Sequence, residues 1–88
     1  MTFEEILPLL KEGKLASREG WNGKGLTVAI QKGYPDGIKI NKNTAEAWKL
    51  EEGDLLKVLP YFQIKDSEGV LQMWVPSTGD ILASDWQA

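Results

Sequence analysis

Trp74-Val-Pro-Ser-Thr-Gly-Asp-Ile-Leu-Ala-Ser-Asp-Trp86 is the stretch from which the rest of the chain is read. The apolar run Val70-Leu-Gln-Met-Trp74 feeding into it has strand character, and Pro76 stops that strand. Ser77 then caps a short helix through Ala83, with Asp80 at the third helical position, where a carboxylate favours a helix start. Strand, turn and helix in so few residues point to a mixed α+β chain. Two tryptophans and two aspartates, Asp80 and Asp85, bracket the turn. Aromatic planes such as Trp74, next to backbone amides and carboxylates, are what a nucleotide-sized ligand needs.

Upstream, Tyr61-Phe-Gln-Ile-Lys65, the turn Asp66-Ser-Glu-Gly69 and Val70–Trp74 form the clearest hairpin. Pro60 suits a strand entrance or edge, and Leu55–Leu59 is apolar and extended. Asn43 or Thr44 caps a short helix reaching Leu50, which Gly53-Asp54 ends. Tyr34-Pro-Asp-Gly37 has turn chemistry, with proline preset at the second position, and Ile38-Lys-Ile40 is a brief extended piece. Leu26–Ile30 is rich in β-branched residues and reads as a strand. Lys14–Arg18 reads as another, with the glycine-rich turn Glu19–Gly25 between them. At the N-terminus, Thr2 and Glu5 form a capping box, and Phe3, Ile6, Leu9 and Leu10 recur at helical spacing until Gly13. Pro8 removes a hydrogen bond inside that helix and is expected to kink it or delay its start. The expected fold is one α+β domain over residues 1–88: a small antiparallel sheet with an N-terminal helix and short additional helices.

Composition narrows the chemistry. A domain of 88 residues buries only about 60–65% of its unfolded surface, so oligomerisation is a natural source of added stability. The chain has no cysteine and no histidine. Disulfides, zinc–thiolate sites, the commonest general base and the commonest metal ligand are thereby removed, and neither metal nor cofactor is expected. A net charge of −3 disfavours a nucleic-acid polymer as partner. No apolar run reaches the length of a membrane span, and the acidic start Met-Thr-Phe-Glu-Glu lacks a signal peptide's basic region, so a cytoplasmic location is expected.

No serine sits in a nucleophile elbow, and no phosphate-binding loop precedes a Lys-Ser or Lys-Thr pair. Asp80 and Asp85 are open to reading as an acid–base pair, or as a cap and a surface residue. Binding features are richer. Trp21, in the turn Arg18-Glu-Gly-Trp-Asn-Gly-Lys-Gly25, either folds onto the core or offers a stacking plane to a base. Asn22 can read a base edge or simply form the Asn-Gly turn. Ser77 and Thr78 open a helix whose amides suit a phosphate, or serve as an ordinary cap. Arg18 and Lys24 flank Trp21 and can face a pyrophosphate or solvent. Trp48 is expected in the core or at a subunit contact, and Trp86 is expected to pack and clamp the terminal strand.

Thr2-Phe-Glu-Glu5, Lys11-Glu-Gly-Lys14, Arg18–Gly25, Gly33–Ala47, Leu59-Pro-Tyr61 and Trp74–Trp86 together resemble a small phage and prophage family, the second of the Thoeris anti-defence protein families. The resemblance spans essentially the whole chain. It implies a non-catalytic sponge: a homotetramer in the host bacterial cytosol that sequesters cyclic ADP-ribose isomers such as glycocyclic ADP-ribose. It also implies cyclic dinucleotides at separate pockets in some members, and a small antiparallel sheet with N- and C-terminal helices. Carried residue by residue, it assigns ligand roles to Trp21, Asn22, Ser77, Thr78, Asp80 and Asp85. Two other readings stand beside it. One is a hydrolase of such a signal using Asp80 and Asp85; the other is a phage structural or interaction module with no small ligand.

Overall fold

The computed structural model describes every residue except Asn22 and Gly23. Among the described residues it is α+β, with short antiparallel sheets and three α-helices. Helix α1, Phe3–Lys11, starts on the expected capping box: the Glu5 amide donates to Thr2 Oγ1 at 3.2 Å, and the Thr2 amide donates to Glu5 Oε1 at 2.9 Å. Pro8 does not delay it. The helix runs unbroken through Pro8, which lies on the exposed side, where water can satisfy the carbonyl that the proline leaves without a donor. Phe3, Ile6 and Leu10 form its buried stripe.

The main sheet has strand order β2 (Thr27–Gln31), β5 (Tyr61–Lys65), β6 (Leu71–Met73). The β5–β6 hairpin is the predicted one, with Ile64 opposite Gln72, and β2 pairs with β5 so that Val28 faces Ile64. Helix α1 packs over this sheet, and Phe3, Ile6, Leu10, Ala16, Val28 and Trp86 make the core. The two ends of the chain close onto it. Strand β1, Ser17–Arg18, pairs with β7, Trp86–Gln87, and the Met1 ammonium donates to the Trp86 carbonyl at 2.8 Å. Trp86 is 1% exposed, as expected of a clamp. Burying an aromatic of about 150–250 Å² contributes roughly 4–6 kcal/mol before entropy is set against it.

The rest of the chain leaves this body. Strands β3, Tyr34–Lys39, and β4, Leu55–Val58, pair with each other in a separate two-stranded ribbon and hardly touch the body. Helix α2, Lys42–Trp48, joins them at the ribbon's far end. The expected turn at Tyr34–Gly37 is absorbed into β3. Tyr34 faces Val58 and Ile38 faces Leu56, so four steps along β3 match two along β4. The turn chemistry of Pro35-Asp36-Gly37 is thus used as a bulge, where a residue without an N–H is tolerated. The cap of α2 is Asn41, whose Oδ1 accepts from the Thr44 amide at 2.9 Å, rather than Asn43 or Thr44. Trp48 is not in the core: it is 72% exposed.

At the ribbon's root, Gly33 has φ +80°, and a β-carbon there would lie 2.4 Å from the Val58 carbonyl oxygen. Only glycine lets the two crossing segments approach so closely. The result is an elongated molecule, 44 × 26 × 21 Å, with a radius of gyration of 15.4 Å against about 12 Å for a compact chain of this length. Among the described residues, no helix is long and apolar enough to cross a membrane.

Candidate functional site

Helix α3, Thr78–Leu82, starts as the sequence predicts. Asp80 Oδ2 accepts from the Ser77 amide and from Ser77 Oγ, both at 2.9 Å, while the Asp80 amide donates to Ser77 Oγ at 3.1 Å. The Asp80 carbonyl in turn accepts from the Trp86 indole N–H at 2.8 Å. The capping box therefore fixes the helix and a core ring together, and Asp80 is buried.

Arg18 joins this cap to the first glycine-rich turn. Its Nη1 donates to Asp80 Oδ1 at 2.9 Å and its Nε to Asp85 Oδ1 at 2.8 Å. The other oxygen of Asp85 accepts from the Gly20 amide at 2.7 Å, and the Glu19 amide donates to the Asp85 carbonyl at 3.0 Å. A β-carbon on Gly20 would sit 2.7 Å from that carboxylate oxygen, so this approach also depends on glycine. The network fixes the 3₁₀ turn Glu19–Trp21 and so aims Trp21.

Charge follows geometry. Burial pushes the Asp80 carboxyl up, but the hydrogen bonds from Ser77 and Arg18 outweigh it and hold the group below its ordinary value. The Arg18 guanidinium, then the Gly20 amide, holds Asp85 below its ordinary value as well. Arg18 is raised in return. Two of the five guanidinium donors are committed to these carboxylates.

Trp21 is half-buried. Its inner side meets Trp86 edge-on, with ring centres 5.3 Å apart at 79°, and Trp74 at 6.5 Å and 87°. Phe62 completes the cluster against Trp74 at 5.5 Å. Its other side opens on a cavity of about 200 Å³ lined by Ser17, Arg18, Trp21, Lys24, Gly25, Leu26 and Thr27. Of the residues singled out in the sequence, Arg18, Trp21 and Lys24 thus share one cavity. Ser77, Asp80 and Asp85 attach to it through Arg18, and Trp74 supports Trp21 from behind. Thr78, the exposed first residue of α3, is not among its walls. Asn22 lies outside the described residues. Ser17, Gly25, Leu26 and Thr27 were not foreseen as walls; the strands that frame the turn were the only signal for them.

The Thoeris anti-defense 2-like domain model matches residues 1–88. Thoeris anti-defense 2 of Bacillus phage SP01 is 32% identical over 90 residues, spanning 98% of this chain and 91% of that protein. The chain belongs to the Thoeris anti-defense 2-like family, and its role is anti-defence.

Proposed function

We propose that this member of the Thoeris anti-defense 2-like family is a sponge that binds and holds a cyclic ADP-ribose-type immune signal, glycocyclic ADP-ribose, without cleaving it. The observation that carries this reading is the convergence of Trp21, Arg18 and Lys24 on one cavity. Trp21 offers a face for the adenine, and stacking of that kind is worth about 1–3 kcal/mol per base. Lys24 and the Arg18 guanidinium supply positive charge for the pyrophosphate. Asn22 stands next to the stacking ring in sequence, as a reader of polar base or ribose atoms. Ser77, Asp80 and Asp85 serve the site by holding α3 and Arg18 in place.

The cavity is smaller than the roughly 300–1,000 Å³ that encloses a drug-sized ligand. One copy therefore supplies one wall, and other copies in a homotetramer, arranged as a pair of dimers, complete the enclosure. Cyclic dinucleotides are a second ligand class for separate pockets of the same assembly. The setting is the host cytosol, with no membrane and no nucleic-acid polymer as partner. The hydrolase reading has less support: a general acid needs a raised pKa, whereas both carboxylates are lowered and tied to Arg18.

The test is to incubate the protein with cyclic ADP-ribose isomers, heat-denature it and recover the small molecule. Intact signal is expected, and multiple turnovers to a new product would establish the hydrolase instead. A ligand at 100 times its dissociation constant adds about 2.7 kcal/mol of stability. No thermal shift with any cyclic nucleotide would leave the interaction-module reading in possession.

A further inference from the structure

Ile40 and Ala45 are buried at the far end of the ribbon formed by β3, α2 and β4, but Tyr34 and Ile38 along β3 remain exposed. Ile38 faces Leu56 and Tyr34 faces Val58, so these four side chains share one apolar face. A lone two-stranded hairpin is marginal in water, and one with an open apolar face needs a third layer. At its tip Trp48 is 72% exposed and Leu50 is 41% exposed. At its root lies an apolar groove of about 300 Å³ between α1 and β5, lined by Leu7, Lys11, Ile30, Pro60, Tyr61 and Phe62. It lacks the convergent polar groups that orient a nucleotide, and its size suits an aromatic ring.

We infer that two copies of the chain lie antiparallel along their ribbons, with Trp48 of each copy seated in the root groove of the other. A chain cannot fill its own groove this way. The six residues of β3 hold the tip about 20 Å from the root. Two-fold symmetry brings each tip to the other root and forms both contacts at once. Charge agrees with this pairing. The tip segment 46–54 carries Glu46, Glu51, Glu52 and Asp54 against Lys49 alone, a net −3 that equals the charge of the whole chain. The one charged residue lining the groove is Lys11. The contact stands on the packing of the ribbon and does not depend on which signal is bound.

The absence of cysteine makes the test clean. A Lys49→Cys chain, which keeps Trp48 and places the thiol beside it, is mixed with a Lys11→Cys chain and treated with a short bis-maleimide; a control mixture pairs Lys49→Cys with Glu68→Cys, in the body's β5–β6 turn. A covalent heterodimer is expected with Lys11→Cys and not with Glu68→Cys. In parallel, Trp48→Asp is expected to reduce the mass found by light scattering to half or less, with the far-ultraviolet circular dichroism retained. Equal crosslinking to both positions, or an assembly mass unchanged in Trp48→Asp, overturns the inference. Loss of mass without crosslinking to Lys11→Cys also overturns it, because the groove is then not the seat. None of these outcomes bears on ligand turnover, so failure here is separable from failure of the sponge reading.

Discussion

Trp86 in the body is 1% exposed, touches Phe3, Trp21 and Trp74, and donates its indole N–H to the Asp80 carbonyl. Trp48 at the ribbon's tip is 72% exposed, and its helix packs little on any other element. The two regions obey the same chemistry with opposite results. In the body, a helix, a sheet and both chain ends bury one aromatic cluster, and the carboxylates around it are paired. In the ribbon, apolar side chains stand on a surface that the chain itself does not cover. The region that carries the candidate site is thus held by its own contacts, while the other leaves large apolar side chains such as Trp48 and Leu55 exposed.

The largest effect expected from this contrast is in the body. Trp86→Ala should cost about 3–5 kcal/mol, enough to unfold a domain of this size, and circular dichroism will report it. A folded, cooperatively melting Trp86→Ala protein would break the distinction between body and ribbon. Ser77→Ala removes the cap of α3 and should cost about 1 kcal/mol, lowering the melting temperature by about 4–8 °C. Calorimetry should show that loss while Trp21 remains packed.

Acid should act on the body next. Asp80 and Asp85 have folded values below their unfolded ones. Their stabilising contribution is therefore present above the unfolded value of about 3.9, and it is lost as pH falls through the folded values. Melting temperature should fall below about pH 4, and Arg18→Met should flatten that acid slope. An unchanged slope in Arg18→Met would show that the ion pairs do not couple the turn to α3. The smallest effect belongs to the ribbon. Trp48→Ala should change the melting of the chain's own fold by no more than about 0.5 kcal/mol when measured on dissociated protein.

The same contrast explains what could be read from the sequence. Local signals were legible. The capping boxes of Thr2 with Glu5 and Ser77 with Asp80, and the hairpin around Asp66–Gly69, each decide a structure within a few residues. Tyr34-Pro-Asp-Gly37 misled because the backbone preferences that make a turn also make a bulge, and only the partner strand β4 selects between them. Asn41, Asn43 and Thr44 are all capping residues, and the choice falls to the side chain that reaches the third amide. At the site, the association of Trp21, Arg18 and Lys24 was visible from their closeness in sequence. The tie from Arg18 to Asp80 and Asp85 spans 62 and 67 residues, and no local spacing records it. Nor does spacing reveal that Trp86 is enclosed while Trp48 is bare.

The central claim is that Trp21 presents a stacking face to a cyclic nucleotide from a rigid body. The direct measurement is calorimetric titration of Trp21→Leu with glycocyclic ADP-ribose, beside the parent protein. Leucine keeps apolar bulk against Trp86 and Trp74 while removing the aromatic plane. The account predicts a folded protein of unchanged mass whose affinity falls about five- to 150-fold, the equivalent of 1–3 kcal/mol of stacking. A folded Trp21→Leu protein that binds the signal as tightly as the parent would contradict it.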